Sequence, residues 1–365
     1  MWLPMRDDYC LLEKIRDSGD IIDLSEFRKW SISKCSIGAP NNQLSIIVMP
    51  IIAAIGGKVA DVSERRPNHY DSTIEKLETI PGYRAGLPLN NFMSQLRDVG
   101  ISVIGGPINF IPRLYQPNDI EEYATLMMGK EMAKGSYNII FDINISEDAP
   151  IKTLEEAKIF INKAKQIGNK YRRNVIAFIS RSNLLGNKSG NLFETQEAID
   201  VLNGKIKNGN LYNSSVEYAA YIACQLYNVP DIVGERLVKS VLNSGTAYER
   251  FKEWISLQGG DLNKFTNIPN CRYKLELRAK DSGKIIEINK EDINTAINFI
   301  TKNSGNYAGI VFEKQTGDNV MSGDTICTIH ANTPAELSYV SKIVEKAIKL
   351  GKRRKNIQQQ CFYIY

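Results

Sequence analysis

Two short stretches of this chain combine cations and hydroxyls in a way suited to holding an anion. The first is Lys34-Cys35-Ser36-Ile37-Gly38-Ala39, directly ahead of the apolar run Leu44–Ala54. A loop running into a helix presents unpaired backbone N–H groups and the positive end of the helix dipole, and both attract phosphate. Ser36 adds a hydroxyl donor there and Lys34 a compact charge. On its own a Lys-x-Ser-x-Gly pattern says little. The second stretch is Val62-Ser63-Glu64-Arg65-Arg66-Pro67-Asn68-His69-Tyr70-Asp71-Ser72-Thr73, between a strand-like segment and the helix-like run Ile74–Glu78. Taken alone it has a plain structural explanation, in which Ser72 or Thr73 is the N-cap of the next helix and Glu75 sits in its first turn.

Such residues need elements to position them. Residues 9–30 read as a helix, spaced by Leu11, Leu12 and Ile15, that ends in a loop at Ser18-Gly19-Asp20. Leu44–Ala54, with Pro50 inside it, reads as a buried helix. Lys58–Val62, Gly100–Gly105, Asn138–Ile143 and Asn174–Ile179 are short, apolar and β-branched, as strands are, and the amphipathic helix Leu154–Lys170 separates the last two. Strands alternating with helices imply a parallel sheet covered on both faces. Val216–Val229 and Asp231–Ser244 read as two more helices, and Gln258-Gly259-Gly260-Asp261 then punctuates the chain. Beyond it, Arg272–Arg278 and Ile285–Ile288 read as strands. Ile310–Phe312 and Thr325–Ile329 read as a hairpin about a reversal within residues 316–324, flanked by Gly317-Asp318 and Gly323-Asp324.

Composition narrows the function classes. Of 365 residues, 43% are hydrophobic and 24% charged, enough for a sizeable core. The net charge of +5 is modest and not interleaved with aromatics, which argues against a nucleic-acid binder. The run Lys352-Arg353-Arg354-Lys355 reads as a solvated helix end rather than a nucleic-acid or phosphate contact. Six scattered cysteines without a CxxC pair, and only two histidines, argue against structural zinc. No apolar stretch reaches membrane-spanning length and Met1–Asp8 has no signal-peptide character, so a reducing cytoplasm with free thiols is expected.

Residues 34–83 resemble the signature region of the thymidine and pyrimidine-nucleoside phosphorylases. That family carries Lys-His-Ser-Thr-Gly-Gly, an apolar helix, Ser-Gly-Arg-Gly-Leu-Gly-His-Thr-Gly-Gly-Thr, and then Lys-Leu-Glu-Ser-Ile-Pro-Gly-Phe. Here the last of these is Lys76-Leu77-Glu78-Thr79-Ile80-Pro81-Gly82-Tyr83, at the matching place without gaps. Similarity continues through Ile101–Gly105, Gly135–Asp142, Lys152–Ala157, Gly186–Gly204, Gln258–Asp261 and Gly317–Asn332, covering most of residues 15–350. The resemblance implies an α/β fold with three parts. These are a parallel or mixed sheet flanked by helices (26–112 plus 136–265), a remnant helical domain (1–25 plus 113–135) and a C-terminal α+β domain (266–365).

The resemblance also assigns roles. The family's phosphate contacts fall on Lys34, Ser36, Ser45, Ser63 and Thr73, each of unchanged type; Arg65 and His69 also match, add charge, and with Cys35 are the candidate catalytic residues. The surrounding glycines are replaced by Ala39, Asn41, Glu64, Arg66, Asn68, Asp71 and Ser72, so the backbone can approach a ligand less closely. Glu64 and Asp71 would repel a phosphate unless Arg65, Arg66 or Lys34 compensates. Of the family's pyrimidine clamp, Lys130 remains, Leu126 stands where a serine is expected, and Leu114-Tyr115 is the remnant of a stretch that has lost its arginine. The segment between Pro112 and Gly135 is shorter than in the family, and the loop after Asp142 has become Ser146-Glu147-Asp148-Ala149-Pro150. A clamp missing two donors should bind uracil or thymine poorly. Cys35 replaces the family histidine, either as a thiol activated by Lys34 or as a small neutral filler.

The activity implied is phosphorolysis, in which inorganic phosphate attacks C1′ of a nucleoside and the base leaves. Phosphate would be a co-substrate, or a sugar phosphate a ligand, with no cofactor or metal, and the base would be a non-standard one. The alternative is a non-catalytic subunit that partners a helical subunit or an active homologue. The match starts near Arg16, after most of the family's helical domain, so a homo-oligomer or a separate helical partner is expected to cover residues 9–25 and 113–135.

Overall fold

Short apolar strands stack side by side in the order β13-β5-β4-β1-β2-β3, and this six-stranded sheet organises the molecule. The computed structural model describes residues 8–19, 21–38, 42–63, 72–105, 116–147, 149–181, 184–267, 271–304, 307–351 and 363–364. The sheet's strands are β1 (Ser31–Ile37), β2 (Lys58–Ser63), β3 (Ile101–Gly105), β4 (Asn138–Ile145), β5 (Asn174–Arg181) and β13 (Tyr363–Ile364). The first five are mutually parallel, while β13 is an antiparallel edge, so the sheet is mixed.

Helices cover both faces. On one lies α2 (Asn42–Ala54), whose Ile46, Ile47 and Ile51 are fully buried. A helix apolar all round is stable only when enclosed, and Pro50 is tolerated because packing outweighs the one lost backbone bond. It is enclosed by α3 (Thr73–Leu77), α7 (Asn191–Leu202), α8 (Asn210–Tyr227), α9 (Asp231–Asn243) and α10 (Thr246–Leu257). The other face carries α4 (Leu89–Asp98), α5 (Ile120–Ala133) and α6 (Leu154–Lys170). α1 (Asp8–Arg16) lies on α5, where Gly129 allows the close approach of Ile15. A 3₁₀ turn, Ser25–Trp30, leads into β1, and α11 (Leu262–Thr266) ends this part of the chain.

The C-terminal part has its own core. β6 (Lys188–Ser189), β9 (Gly309–Phe312), β11 (Thr325–Ala331) and β7 (Tyr273–Arg278) form one antiparallel sheet in that order. β10 (Asn319–Val320), β8 (Gly283–Ile288) and β12 (Ile348–Gly351) form another, with α12 (Lys290–Ser304) and α13 (Pro334–Ala347) packed beside them. β9 and β11 pair as the hairpin signal predicts. The reversal between them is not tight, however, because Asn319–Val320 leave to pair with β8.

Candidate functional site

Lys34 lies on β1, not in a loop as its neighbours in sequence suggest. The alternation Ser31-Ile32-Ser33-Lys34-Cys35-Ser36-Ile37 is a strand pattern disguised by polar residues on both faces, because β1 is the central strand of a doubly covered sheet. β2 and β3 extend from one side of β1, β4 and β5 from the other. The chain therefore changes direction between β1 and β4, and such switch points open a crevice at the C-terminal ends of the strands.

Lys34 and Asp142 meet at that point. Lys34 Nζ lies 2.9 Å from Asp142 Oδ2, with the two side chains 10% and 3% exposed. The same ammonium donates to Ser45 Oγ of α2 at 2.5 Å. Ser36, two residues on from Lys34, shares its strand face and pairs in register with Asp142. Ser63 ends the neighbouring strand β2. Gly38, at φ +82°, turns the chain from β1 towards α2, where a Cβ would come within 2.4 Å of Asn144 O. Asp142 is the residue that motif reasoning missed. Its signal was a lone carboxylate inside the apolar strand Asn138–Ile145.

At the second stretch the two explanations separate. Ser72 is the N-cap of α3 and Glu75 completes the capping box. Thr73, the first helical residue, is left with a buried hydroxyl that has no capping duty. α3 is pinned by Lys76, fully buried, whose Nζ lies 3.1 Å from Glu194 Oε2 on α7. Arg65, His69 and Tyr115 lie outside the described residues, as do Ala39, Asn41, Glu64, Arg66, Asn68 and Asp71.

Charge is concentrated behind the site. Burial pushes the Asp61 carboxyl on β2 upward, opposed by the positive charges of Lys134 and Lys34. Burial, with some repulsion from Asp142, also holds the Tyr218 hydroxyl well above the usual phenol range. Tyr218 stacks on Phe178 at 3.6 Å and, with Lys34, Ser45 and apolar side chains, lines a cavity of about 30 Å³. That is room for about one water.

Other predicted residues are placed elsewhere. Cys35 faces the opposite side of β1 from Lys34, buried in the core beneath α5 and α6. Lys130 is half-buried on α5. Leu126, one turn before it, packs with Leu11 and Ile15 of α1. Among the described residues no cluster of metal-ligating side chains occurs and no helix is long and apolar enough to cross a membrane.

The model of the pyrimidine nucleoside phosphorylase C-terminal domain matches residues 303–351. The pyrimidine-nucleoside phosphorylase of Staphylococcus aureus (strain USA300) is 32% identical over 342 residues, covering 87% of this chain and 78% of that protein. That of Staphylococcus haemolyticus (strain JCSC1435) is 31% identical over 355 residues, with 90% and 81% covered. Among solved structures, anthranilate phosphoribosyltransferase from Thermus thermophilus has a similar fold, with a TM-score of 0.52 at 12% identity over 69% of this chain and 84% of that one.

Proposed function

This chain belongs to the pyrimidine-nucleoside phosphorylase family, and from that premise we propose that it is a pentosyltransferase cleaving an N-glycosidic bond with phosphate. The observation that carries the reading is the ammonium of Lys34, held between Asp142 and Ser45 at the strand switch point. A lysine ammonium has three donors, and these contacts leave one for an anion. Ser36 and Ser63 sit at the C-terminal ends of adjacent strands and Thr73 opens α3, and in this reading their hydroxyls complete the anion site with that cation. Phosphate held by them attacks C1′ of the nucleoside, and the pentosyl group passes from base to phosphate. Fixing the nucleophile and offsetting its charge are the protein's share of the catalysis. Phosphate is the co-substrate, no cofactor is needed, and the enzyme works in the cytoplasm.

The base is the altered part of the substrate. Lys130 can still donate to a carbonyl, but Leu126 is committed to the α1–α5 contact and offers no hydrogen bond. A base other than uracil or thymine fits such a pocket better. The same observation favours a second reading, a non-catalytic subunit that binds phosphate and partners an active homologue or a helical subunit across α1 and α5.

A panel of pyrimidine, purine and modified nucleosides, incubated with inorganic phosphate, tests the choice. Phosphate-dependent release of free base, lost in Ser63→Ala and Lys34→Ala, is the expected result. No release, alone or with a partner, rejects the enzyme reading. Phosphate-induced thermal stabilisation that survives in that case, together with light scattering showing an oligomer, supports the subunit reading.

A further inference from the structure

At the opposite end of the sheet, a cleft of about 440 Å³ opens beside the N-terminal ends of β4 and β5. Lys29, Arg172 and Arg173 line it, and none of its lining residues is acidic. Among the described residues none of the three cations has a carboxylate in ion-pairing range. α6 and α8 both end here, and their C-termini contribute about half a negative charge each. Against three full cations, that leaves a clear positive excess.

Arg173 is the most telling. Its Nε is buried without a hydrogen-bond partner, and its Nη1 donates only to Gly135 O, at 3.3 Å. Burial lowers the proton affinity of this guanidinium, opposed only by the Tyr137 phenol and by no carboxylate. A partly desolvated cation with spare donors is costly unless an anion completes it. Arg172 is held beside it at φ +54°, in the left-handed region that side chains rarely adopt. The floor is rigid. Asn138 Nδ2 donates to Lys29 O and Ser31 O, and Asn174 Nδ2 donates to Asn138 Oδ1.

We propose that this cleft is a second ligand site, separate from the Lys34 site, that binds a nucleoside phosphate. Guanidinium groups match phosphate oxygens two at a time, and Lys29 adds a third charge. The volume is that of a small-molecule site rather than of a bare anion. Tyr137, 37% exposed on its wall, offers a ring for a base to stack on, and the amides of Asn169 and Gln225 offer donors and acceptors to its edge.

Equilibrium dialysis of the full chain with uridine and adenosine 5′-monophosphate tests this, with inorganic phosphate as competitor. At least one nucleotide should bind, about tenfold or more weaker in Arg173→Lys and in Arg172→Ser/Lys29→Ser, and unchanged in Ser63→Ala. Arg172 and Lys29 are exposed, so the latter variant keeps the fold. Inorganic phosphate should compete poorly. The proposal is overturned if neither nucleotide binds. It is equally overturned if Arg172→Ser/Lys29→Ser binds like the parent while Ser63→Ala does not, which would put the nucleotide in the Lys34 site. Phosphate competing as well as the nucleotide itself would rule out a nucleoside-recognising cleft.

Discussion

Lys34 and Asp142 hold opposite charges 2.9 Å apart with little water around either. Removing one member of such a pair leaves the other charged and buried, at a cost of about 3–5 kcal/mol, whereas replacing both with apolar groups of similar size is close to neutral. Asp142→Ala should therefore lower stability in urea by about that amount. Lys34→Met/Asp142→Leu should recover most of it while abolishing thermal stabilisation by phosphate. If the double variant is as unstable as the single one, the pair is not the isolated unit described here. The lysine was visible in the sequence because its motif survives. The aspartate was not, because 108 positions separate the two residues and only the pairing of β1 with β4 brings them together.

Elements matter through how they lock the chain around the site. The stretch Ile80-Pro81-Gly82-Tyr83, so well preserved in sequence, meets Gln258-Gly259-Gly260-Asp261 across the fold. Asp261 N donates to Pro81 O, and Arg84 N to Gln258 O. The Gln258 side chain donates to Arg84 O and Val103 O and accepts from Trp254 Nε1. These two motifs are therefore structural clasps that fix α3 and β3 against α10. Gly82 sits at φ +86°, and a Cβ there would come within 2.4 Å of Gly259 O, which belongs to backbone and cannot turn aside. Gly82→Ala should cost more than about 1 kcal/mol through strain alone, read as a fall in melting temperature, while Gly86→Ala, with open space around it, should change little. From sequence the clasp was seen only as a family motif at one end and a punctuation mark at the other, since neither half shows its partner.

For the whole molecule, the C-terminal unit carries a built-in pH dependence. His330 on β11 is packed beside Phe193 of α7 at 5.0 Å, and burial together with the charge of Lys274 pushes it down from 6.5 to about 4. The unfolded chain takes up this proton at higher pH than the folded one does. Stability is thus full above about pH 6.5 and falls as pH drops towards 4, by up to about 3 kcal/mol at the lower end. Urea midpoints measured between pH 7 and pH 4.5 should fall in the parent and fall less steeply in His330→Phe. Equal slopes would remove His330 from the account.

The sequence by itself determined the class of fold, most of the strands and helices and the family, and it supplied the residue types proposed to hold phosphate, because each is written in local periodicity or in a collinear motif. It hid β1, whose polar residues read as a loop until a sheet covered on both faces explained them. It left Ser72 and Thr73 as rival caps, which only the backbone of α3 separated. Tertiary structure alone decided that Asp142 balances Lys34, that Cys35 faces away from it and that Leu126 is spent on α1. The same holds for the gathering of Lys29, Arg172 and Arg173 into one cleft. Each of these depends on which strand lies beside which and which face a side chain takes, and no run of neighbouring residues records that.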